Sequence, residues 1–559
     1  MGEDEKAQVR AAVFNHLAGI VLSPTVKALS DRKTFDVFLD QSSEWVSLEE
    51  IVHRTRANRG YMRVALRLLA SCGWLEQRID ESVRSPRYSL TREGRIGIRV
   101  APVLYGEASS FISKAIFLED FLFGKSDGRV LPSLQELVRR CKERWGIEPS
   151  QDPIEAKVLE RVRRHIDGML IGPCMVALAR GGVLAQLEHG PASLSDIQAN
   201  RASLTCIVDL LEAQGWIIRE QNRVWLTPCG MYSAQIACSY GVTVSYLPLF
   251  DNVSTLLFGN SRIPRFDEGG VELLVDRTMN VWGSGGAHKT YFRKVDEILV
   301  EIFSRPLNEQ PRGICDMGCG DGALLEHLYG VVRDRTPRGE VLDRHPVTLV
   351  GADFNKVARR VTKKNLRKSG IPTFHVIAGD INRPAQLAGD LEALGHDIHE
   401  FLHVRSFLDH NRPYLPPANY VSGQRLGRST GAFAHLGNEI QPDELEENLV
   451  RHLRRWAPYV GRFGLLVLEL HTLSPELTAA NLDKTPAVAY DGTHGFSDQY
   501  LLELPLFLQC ATEAGLHAAP QFQSRFPSSE LATVSLSFFI SAKESRQVRN
   551  EIFCESTSD

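Results

Sequence analysis

The sequence predicts an α/β domain with a Rossmann-like sheet, preceded by a mostly helical region with two winged-helix-like repeats. Three observations predict this organisation. Two segments before residue 235 repeat each other, and after residue 300 apolar strands alternate with amphipathic helices. The length of 559 residues also exceeds what one hydrophobic core usually holds. We therefore divide the chain into a first repeat at 1–104, a helical connector at 105–170, a second repeat at 171–270 and the α/β domain at 271–559.

The composition and charge are those of an ordinary globular protein. Apolar residues make up 43% of the chain, charged residues make up 24%, and the net charge is −4. This balance lacks the basic excess of a nucleic-acid binder, and we interpret the basic run RRVTKKNLRK (359–368) as a solvated helix face. No run of about eighteen apolar residues predicts a membrane span, and the start MGEDEKAQVR is unlike a secretory signal.

The cysteines indicate the compartment. All ten are scattered along the chain without a CxxC pair, which indicates reduced thiols rather than a disulfide framework or a zinc ribbon. We therefore expect a cytoplasmic protein with neither nucleic acid nor a membrane as its partner.

The first half contains one motif twice. Copy one runs SLEEIVHRTRANRGYMRVALRLLASCGWLEQ (47–77) and continues to RYSLTREG (87–94). Copy two runs SLSDIQANRASLTCIVDLLEAQGWIIRE (193–220) and continues to RVWLTPCG (223–230). Each reads as a helix, a turn, a second helix, a Gly-Trp pair and two short strands. This is the pattern of a winged helix.

A winged helix raises the question of DNA binding. The second helix of copy two, ASLTCIVDLLEAQGW, has no Arg or Lys to meet phosphates. Copy one carries Arg59, Arg63 and Arg67 in the corresponding helix and is more ambiguous. We favour a packing or dimerisation module, and a homodimer is one assembly that this interpretation allows.

The α/β domain begins with a strand, a glycine-rich turn and a helix in RGICDMGCGDGALLEHLYGVV (312–332). Two further strands, in VTLVGADFNKVARRV (347–361) and TFHVIAGDINRP (373–384), also end in Asp, and an acid at the second strand end can accept the hydroxyls of a ribose. Acids around the turn would repel a pyrophosphate but suit a ligand with an amine and a sulfonium. This pattern favours S-adenosylmethionine over NAD. The predicted cofactor-binding residues are Asp316, Gly318, Gly320, Asp321, Asp353, Phe354, Asp380 and Ile381.

A second polar group follows the next strands of the same predicted sheet. One strand lies in IHEFLHVRSFLDHNRPYLPP (398–417), and another, in GRFGLLVLELHTLSP (461–475), ends in Glu469 and His471. Because ligands bind at the carboxyl ends of strands in open α/β sheets, a substrate is expected here. The predicted catalytic residues are His403, Arg405, Asp409 and His410.

The stretch YDGTHGFSDQYLLE (490–503) adds further polar side chains, and we interpret it as a loop that enters an apolar helix. The helix at 441–461 is interpreted as scaffold, with His452 on the surface. Imidazole together with carboxylate or amide oxygen suits iron(II) or manganese better than zinc with thiolates. At each position the alternative is an ordinary hydrogen-bonding residue. The predicted metal ligands are His471, His494 and Gln499, with Asp409 or His410 completing or supporting the shell.

Several of these segments resemble the metal-dependent methyltransferases of polyketide starter modules, such as those of the apratoxin and saxitoxin synthases. The resemblance rests on VWGSGGAHKTYFRKVDEI (281–298), DMGCGDG, HVRSFLDHNRPY, ELHT and YDGTHGFSDQY. It covers roughly 270–545 closely and the helical half more loosely. It implies that S-adenosylmethionine binds beside one iron or similar ion, and that a malonyl unit on an acyl carrier protein is methylated on carbon.

The chemistry expected from these residues is methylation of a carbon next to a carbonyl. A chelated metal would stabilise the enolate as a Lewis acid, a nearby His would take the proton, and Arg405 would hold a substrate carboxylate. Two rivals stay open. One is an O- or N-methyltransferase of a small molecule that uses a His base without a metal. The other is a winged-helix regulator that senses S-adenosylmethionine, although a sensor has no need of the second polar group.

Overall fold

The computed structural model describes residues 1–40, 44–79, 85–124, 130–421, 423, 425 and 427–541, and the side chains at 286–290 are outside the description. The segment LATVSLSFFISAK (531–543) is predicted to form the last, antiparallel strand of the α/β domain, and its last two residues, 542–543, lie outside the described residues. The chain forms two compact units. The first unit consists of Met1–Ala287, Ala432–Glu439 and Ser474–Asp498, and the second of His288–Gly431, Ile440–Leu473 and Gln499–Asp559.

The first unit is mostly helical. Its two longest helices, Glu3–Asp31 and Pro153–Arg180, pack against each other and form the centre of its core. The helix Arg277–Ser304 begins in the first unit and ends in the second. The other α-helices of the first unit are Asp36–Leu39, Leu48–Thr55, Arg59–Ser71, Arg92–Ser109, Ile112–Ala115, Leu118–Phe123, Leu131–Lys142, Val183–Glu188, Arg201–Ala213, Pro228–Gln235, Gly241–Ser245, Leu247–Asp251, Val253–Phe258, Pro475–Ala480 and Ala487–Phe496. Short 3-10 helices lie at Arg144–Gly146 and Ala237–Tyr240.

The two predicted winged-helix copies are present as two small antiparallel sheets. In each sheet the third strand lies between the first and the second, so the two copies share one topology. The strands are Val46–Ser47, Leu75–Ile79 and Pro86–Leu90 in copy one, and Ala192–Ser193, Ile217–Glu220 and Arg223–Leu226 in copy two. A two-stranded hairpin, Phe433–His435 and Asn438–Ile440, lies later in the chain. The predicted fold class of the first half is confirmed.

The arginines of copy one lie mostly inside the first unit. Arg63 is buried and forms an ion pair with Glu439, and Arg67 is buried with its Nε 3.2 Å from a carboxylate oxygen of Asp491. Arg59 also pairs with Glu439. These three side chains therefore form ion pairs within the first unit.

One helix in the described part of the chain is long and apolar enough to cross a membrane, by length and composition alone. This helix is Glu3–Asp31, whereas the sequence analysis expected no such segment. Within the protein, 83% of its apolar window is buried, as is usual for the core helix of a water-exposed domain.

The helix Ala487–Phe496 replaces the loop that was predicted for this stretch. His494 lies in its last turn, and the next helix begins only at Leu504, so His494 does not start a helix. The physical reason is packing inside the first unit. Gly492 and Gly495 lie so close to other helices that a Cβ would come 2.0 Å from Val21 and 2.7 Å from Val64, respectively.

The second unit is built on one eight-stranded sheet. Its path, from edge to edge, is Leu516–Ala518, Val534–Ser541, Leu465–Leu470, Phe401–Ser406, Gly313–Met317, Thr348–Asp353 and Phe374–Ala378, and Ser524–Phe526 pairs with Val534–Ser541. The last five strands of this path are parallel, and Val534–Ser541 is antiparallel to Leu465–Leu470. This Rossmann-like order with an antiparallel strand near the C-terminus confirms the predicted fold class.

Helices cover the sheet of the second unit. They are Ala323–Arg335, Lys356–Lys368, Pro384–Ala393, Pro442–Val460 and Leu504–Glu513, with 3-10 helices at Leu307–Glu309, Pro337–Val341, Ile398–Glu400, Asp409–Asn411 and Pro520–Phe522. The strand order changes direction between Gly313–Met317 and Phe401–Ser406, because the chain builds first to one side and then to the other. A ligand is expected at the carboxyl ends of strands beside such a switch point.

Candidate functional site

The glycine-rich turn after Gly313–Met317 has the backbone conformation of a ligand-binding turn. Gly318, Gly320 and Gly322 have φ angles of 82°, 57° and 84°, in the left-handed region that glycine adopts at no steric cost. A Cβ on Gly318 would also lie 2.9 Å from the side chain of Leu408. The turn is therefore packed directly against the segment that follows the neighbouring strand.

Asp353 connects this turn to the second strand. The register places Met317 beside Ala352. The carboxylate of Asp353 accepts hydrogen bonds from the backbone N–H of Gly320, at 3.0 Å, and of Asn355, at 2.7 Å. The carboxylate is thus fixed at the edge of the sheet, where a ribose of a bound nucleoside would meet it.

Asp316 is a buried acid among other acids. One carboxylate oxygen has no hydrogen-bond partner among the described residues. Burial, followed by the charges of Asp353 and Asp321, raises the pKa of Asp316 to about 8. Asp321 itself accepts from the N–H of Ala323 at the start of the next helix, at 3.0 Å. Such a group of acids favours a cationic ligand, because a positive charge would reduce the repulsion between the carboxylates and could pair with the unpartnered oxygen of Asp316.

Three more predicted cofactor residues lie at the ends of the second and third strands. Phe354 is 79% exposed beside Asp353 and offers a flat apolar face on which a base could stack. Asp380 accepts from the N–H of Asn382 at 2.8 Å, and the buried Ile381 accepts a hydrogen bond through its carbonyl from Trp456 Nε1 at 2.7 Å. The eight predicted residues therefore lie at the ends of three adjacent strands or directly after them, at one edge of the sheet.

His410 and Glu469 form a buried dyad at the same edge. The Nδ1 of His410 donates to one carboxylate oxygen of Glu469, and the backbone N–H of His410 donates to the other at 3.1 Å. The N–H of Leu470 also donates to Glu469, at 2.7 Å. With its Nδ1 proton held by Glu469, His410 has the tautomer in which Nε2 carries the lone pair of a base. Leu408, two residues earlier, contacts the glycine turn.

Asp409, which precedes His410 in the chain, is the centre of a second buried hydrogen-bond network. Its Oδ1 accepts from Arg405 Nη1 at 2.7 Å and contacts His452 Nε2 at 3.0 Å. Burial opposes the ionisation of Asp409, but the charge of Arg405 and the hydrogen bond of His452 outweigh it and lower the pKa. Arg405 also lies over the ring of Trp456, at 4.1 Å. Only Nη1 of this guanidinium is paired with a carboxylate, whereas Nε and Nη2 have no hydrogen-bond partner among the described residues. The role of Arg405 toward a substrate carboxylate stays a prediction.

His452 is buried, which corrects the prediction that it lies on the surface. It shares one face of the helix Pro442–Val460 with Leu445, Leu449 and Trp456, and this face packs on the sheet. Burial lowers the pKa of His452 to about 4, so the imidazole is neutral near neutral pH. The burial of His452 could have been predicted from its spacing of one helical turn from Trp456, which lies on the apolar face of the helix.

His403 lies in the middle of its strand and not at the carboxyl end. Its Nε2 is 3.0 Å from the carbonyl oxygen of Ile398, its ring contacts Trp456, and it pairs in register with Leu465 at the start of the next strand. Burial lowers its pKa to about 4. We therefore assign His403 a packing position and not a place among the reacting groups.

The predicted metal ligands have different surroundings. His471 is buried in the second unit, where its Nδ1 lies 3.2 Å from the carbonyl oxygen of Leu502 and its Nε2 lies 2.8 Å from the hydroxyl of Ser535. Both ring nitrogens are thus hydrogen-bonded, and burial lowers its pKa to about 4. In this arrangement His471 has no lone pair to give to a metal, so it does not fit the predicted role.

His494 and Gln499 belong to the first and the second unit, respectively. The Nδ1 of His494 donates to the carbonyl oxygen of Tyr490 at 2.7 Å, which leaves Nε2 as the basic nitrogen. Among the residues that the structure describes, no group of three or more His, Cys, Asp or Glu side chains is arranged to hold a metal ion. The metal ligand set stays a prediction.

Glu469 is the residue whose role the sequence analysis missed. From the sequence, Glu469 is expected at the end of its strand together with His471. Its partner is His410, because the two parallel strands end side by side and bring residues 469 and 410 together. A carboxylate and a His at the ends of adjacent parallel strands is the signal that could have found the dyad.

Comparison with known proteins agrees with this geometry. Residues 272–537 match the AprA MT2-like domain, residues 9–77 match the AprA N-terminal domain, and residues 167–260 match the AprA winged helix domain. The sheet order, the acid-lined glycine turn and the first of these matches together define the class of the protein. It is an enzyme, an S-adenosylmethionine-dependent methyltransferase. Three successive segments of the chain are similar to domains of AprA.

Solved structures of methyltransferases are similar in a looser sense. The mitomycin 7-O-methyltransferase MmcR has 12% identity and a TM-score of 0.40, with 69% of this chain and 98% of that chain covered. The human N-acetylserotonin methyltransferase has 11% identity and a TM-score of 0.39, with 71% and 100% covered. The CurJ carbon methyltransferase has 14% identity and a TM-score of 0.28, with 73% and 97% covered. No curated protein matches the sequence.

Proposed function

We propose that this enzyme methylates a carbon next to a carbonyl in a small acyl substrate of the malonyl type, in polyketide or related secondary metabolism. The observation that carries the proposal is the His410–Glu469 dyad at the same sheet edge as the acid-lined glycine turn. A C–H bond beside a carbonyl needs a base before it can accept a methyl group, and the dyad supplies one. The resemblance to the methyltransferases of polyketide starter modules implies the same substrate class.

The residues of the glycine turn fit S-adenosylmethionine. Asp353 would hold the ribose, Asp316 the cationic part and Phe354 the base, and Asp316 brings an unpartnered oxygen to this task. When bound, S-adenosylmethionine supplies an electrophilic methyl group on a sulfonium sulfur.

The dyad handles the proton. His410 Nε2 takes the proton from the α-carbon, and the electron pair of that C–H bond becomes the enolate. The enolate carbon then forms the new bond to the methyl group while the methyl–sulfur bond breaks, and the electron pair of that bond stays on the sulfur of a neutral thioether. Glu469 holds the Nδ1–H throughout and stabilises the imidazolium that results. Burial of both side chains keeps water away from the enolate and strengthens this charge pairing.

A divalent metal, iron or manganese, is part of the sequence prediction, and the residues fit it unequally. His494 has the tautomer of a ligand, because Nδ1 donates to Tyr490. His471 does not fit, because both of its ring nitrogens are engaged. No step of the mechanism is therefore derived through a metal. Loss of activity in a chelator and recovery with iron or manganese would support the metal proposal.

The rival function is O- or N-methylation of a small molecule, since the same dyad can deprotonate a hydroxyl or an amine. The carbon assignment rests on the resemblance to the methyltransferases of polyketide starter modules. The form of the substrate, whether free acid, coenzyme A thioester or carrier-bound acyl group, and the cytoplasmic location belong to the same proposal. So does the absence of nucleic-acid and membrane partners.

The test is the activity of His410→Ala on malonyl thioesters, measured by intact mass with S-adenosylmethionine. Removal of a general base should lower kcat roughly 10²–10⁴-fold. The affinity for S-adenosylmethionine should stay unchanged, because His410 is not among the cofactor residues. His345→Ala is the matched control, since His345 is exposed in the same unit. Full activity of His410→Ala on every thioester would rule out the dyad as the base.

A further inference from the structure

The first unit contains contacts that occur twice with the roles exchanged. Each winged-helix copy is preceded by a long helix, Glu3–Asp31 before copy one and Pro153–Arg180 before copy two. Each helix carries a proline in its interior, Pro24 and Pro173. The two helices pack along each other in the core of the unit. The repeat therefore extends beyond the winged helices to the helices that precede them.

The closest approach of the two long helices is reciprocal. A Cβ on Gly19 would lie 2.0 Å from the carbonyl oxygen of His165, and a Cβ on Gly168 would lie 2.3 Å from the Cα of His16. His16 precedes Gly19 by the same spacing as His165 precedes Gly168. A contact in which residue i meets j and j meets i is the mark of a two-fold interface.

The same exchange holds for two buried hydrogen bonds. The hydroxyl of Tyr105, in the helix after the copy-one hairpin, lies 2.6 Å from Nδ1 of His165. The hydroxyl of Tyr240, after the copy-two hairpin, lies 2.7 Å from Nδ1 of His16. Each copy thus sends a tyrosine to the long helix of the other copy. The pKa of both histidines is lowered to about 3, mainly by burial and further by the charges of nearby arginines. Both histidines are therefore neutral and accept the hydrogen bond of the tyrosine hydroxyl.

Inside each copy the details also match. Thr91 and Thr227 cap the helix after the hairpin by accepting from the N–H of Gly94, at 2.8 Å, and of Gly230, at 3.0 Å. A Cβ on either glycine would come within 2 Å of the carbonyl oxygen of the Trp in its own Gly-Trp pair. The copies are therefore two versions of one folded module and not merely similar sequences.

We propose that the two copies in the first unit pair with each other as the two subunits of a homodimer would, but within one chain. Copy one is the permanent partner of copy two. The partner that fits this surface is a second copy of the same module, and the chain already supplies it. On this proposal the protein works as a monomer, in place of the homodimer that the sequence allowed.

The two copies have diverged on their outer helices. In copy one, Arg59–Ser71 packs on the segments 432–439 and 474–498, and the hydroxyl of Tyr61 donates to Asp498 at 2.7 Å. In copy two, Arg201–Ala213 packs on Leu131–Lys142 instead. Copy one therefore holds the segment that carries His494. Arg265 Nη2, at 2.8 Å from Asp498, supports the same segment.

The experiment measures mass and thermal stability of the full chain over a hundredfold range of concentration. The proposal predicts a mass of 62.4 kDa and one melting temperature at every concentration, because the interface is intramolecular. Tyr105→Phe and Tyr240→Phe should each lower the melting temperature, by similar amounts of roughly 2–4 °C. Tyr459→Phe, outside this unit, is the control and should leave it unchanged.

Two results would overturn the proposal. One is a species of twice the mass whose fraction and melting temperature rise with concentration and fall in the Tyr105→Phe or Tyr240→Phe variant. The other is a melting temperature that responds to only one of the two tyrosine variants, since a two-fold arrangement requires both. Methyl transfer strictly proportional to enzyme concentration would agree with a monomer.

Discussion

Asp316 shows at the scale of one residue how the site is prepared for its ligand. Its side chain is buried with one oxygen unpartnered and with two other acids nearby, and its pKa is raised to about 8 by burial and then by those charges. Such an arrangement disfavours the ionised form of the free enzyme. The positive charge of S-adenosylmethionine would remove this cost. On the proposed function, Asp316 is arranged for the complex with the cofactor rather than for the free protein.

This arrangement predicts pH-linked cofactor binding. Below about pH 8 Asp316 must lose its proton to pair with the cation, so affinity should rise between pH 6 and 8 and binding should release a proton. Calorimetry in two buffers of different ionisation enthalpy measures the release. Asp316→Asn should bind weakly and without this pH dependence. Affinity that is weakened by the substitution but independent of pH in the wild type would contradict the raised pKa.

The same residue makes a prediction about stability. A carboxyl whose folded pKa is raised favours folding when protonated, and that contribution is lost as the pH rises from about 4 through 8. The free Asp316→Asn variant should therefore be more stable than the wild type above pH 8, by at least about 1 kcal/mol, because one pKa unit corresponds to about 1.4 kcal/mol. Equal melting temperatures at pH 9 would count against a buried acid.

At the scale of elements, the helix Ala487–Phe496 depends on glycine for its packing. Gly492 allows Val21 to lie where a Cβ would be 2.0 Å away, so an added methyl group must displace another helix. By contrast, a Cβ on Gly106, within the helix Arg92–Ser109, would meet nothing within 4 Å. Close packing therefore requires a glycine at position 492, whereas a larger residue would fit at position 106.

Alanine at these two positions separates packing from helix propensity. Gly492→Ala should lower the free energy of unfolding by about 1–3 kcal/mol, because overpacking costs more than helix propensity gains. Gly106→Ala should raise it by about 0.5–1 kcal/mol. Chemical denaturation of both variants measures the difference. If the two variants are equally stable, the close contact with Val21 is not a constraint.

At the scale of the whole molecule, the features that the sequence predicts correctly are those that depend on a local pattern of residues. The strands, the glycine turn and the acids at three strand ends follow from periodicity and from residues that stand next to each other in the chain. The site at the second polar group depends on side-chain direction instead. His403 and Arg405 are two residues apart in their strand, so both side chains lie on the face of the sheet that Trp456 covers. Residues beyond the end of the strand, such as His410, reach the edge of the sheet.

Tertiary partners distant in sequence decided the remaining differences. His452 is buried because Asp409 accepts its hydrogen bond, and no local pattern shows that pairing. The stretch around Asp491 is helical because Arg67 and Val21, more than four hundred residues earlier, pack on it. These interactions join segments that only the folded chain brings together, so propensity alone could not reveal them.

The most direct test of the central claim is the position of the transferred methyl group. The enzyme would be incubated with S-adenosylmethionine carrying a ¹³C methyl group and with malonyl thioesters, free and carrier-bound, and the product would be examined by ¹³C NMR. The account predicts a methyl group bonded to carbon beside the carbonyl, formed by the wild type and by His345→Ala but not by His410→Ala. A methyl group on oxygen or nitrogen, with no carbon-bound product from either thioester, would contradict it.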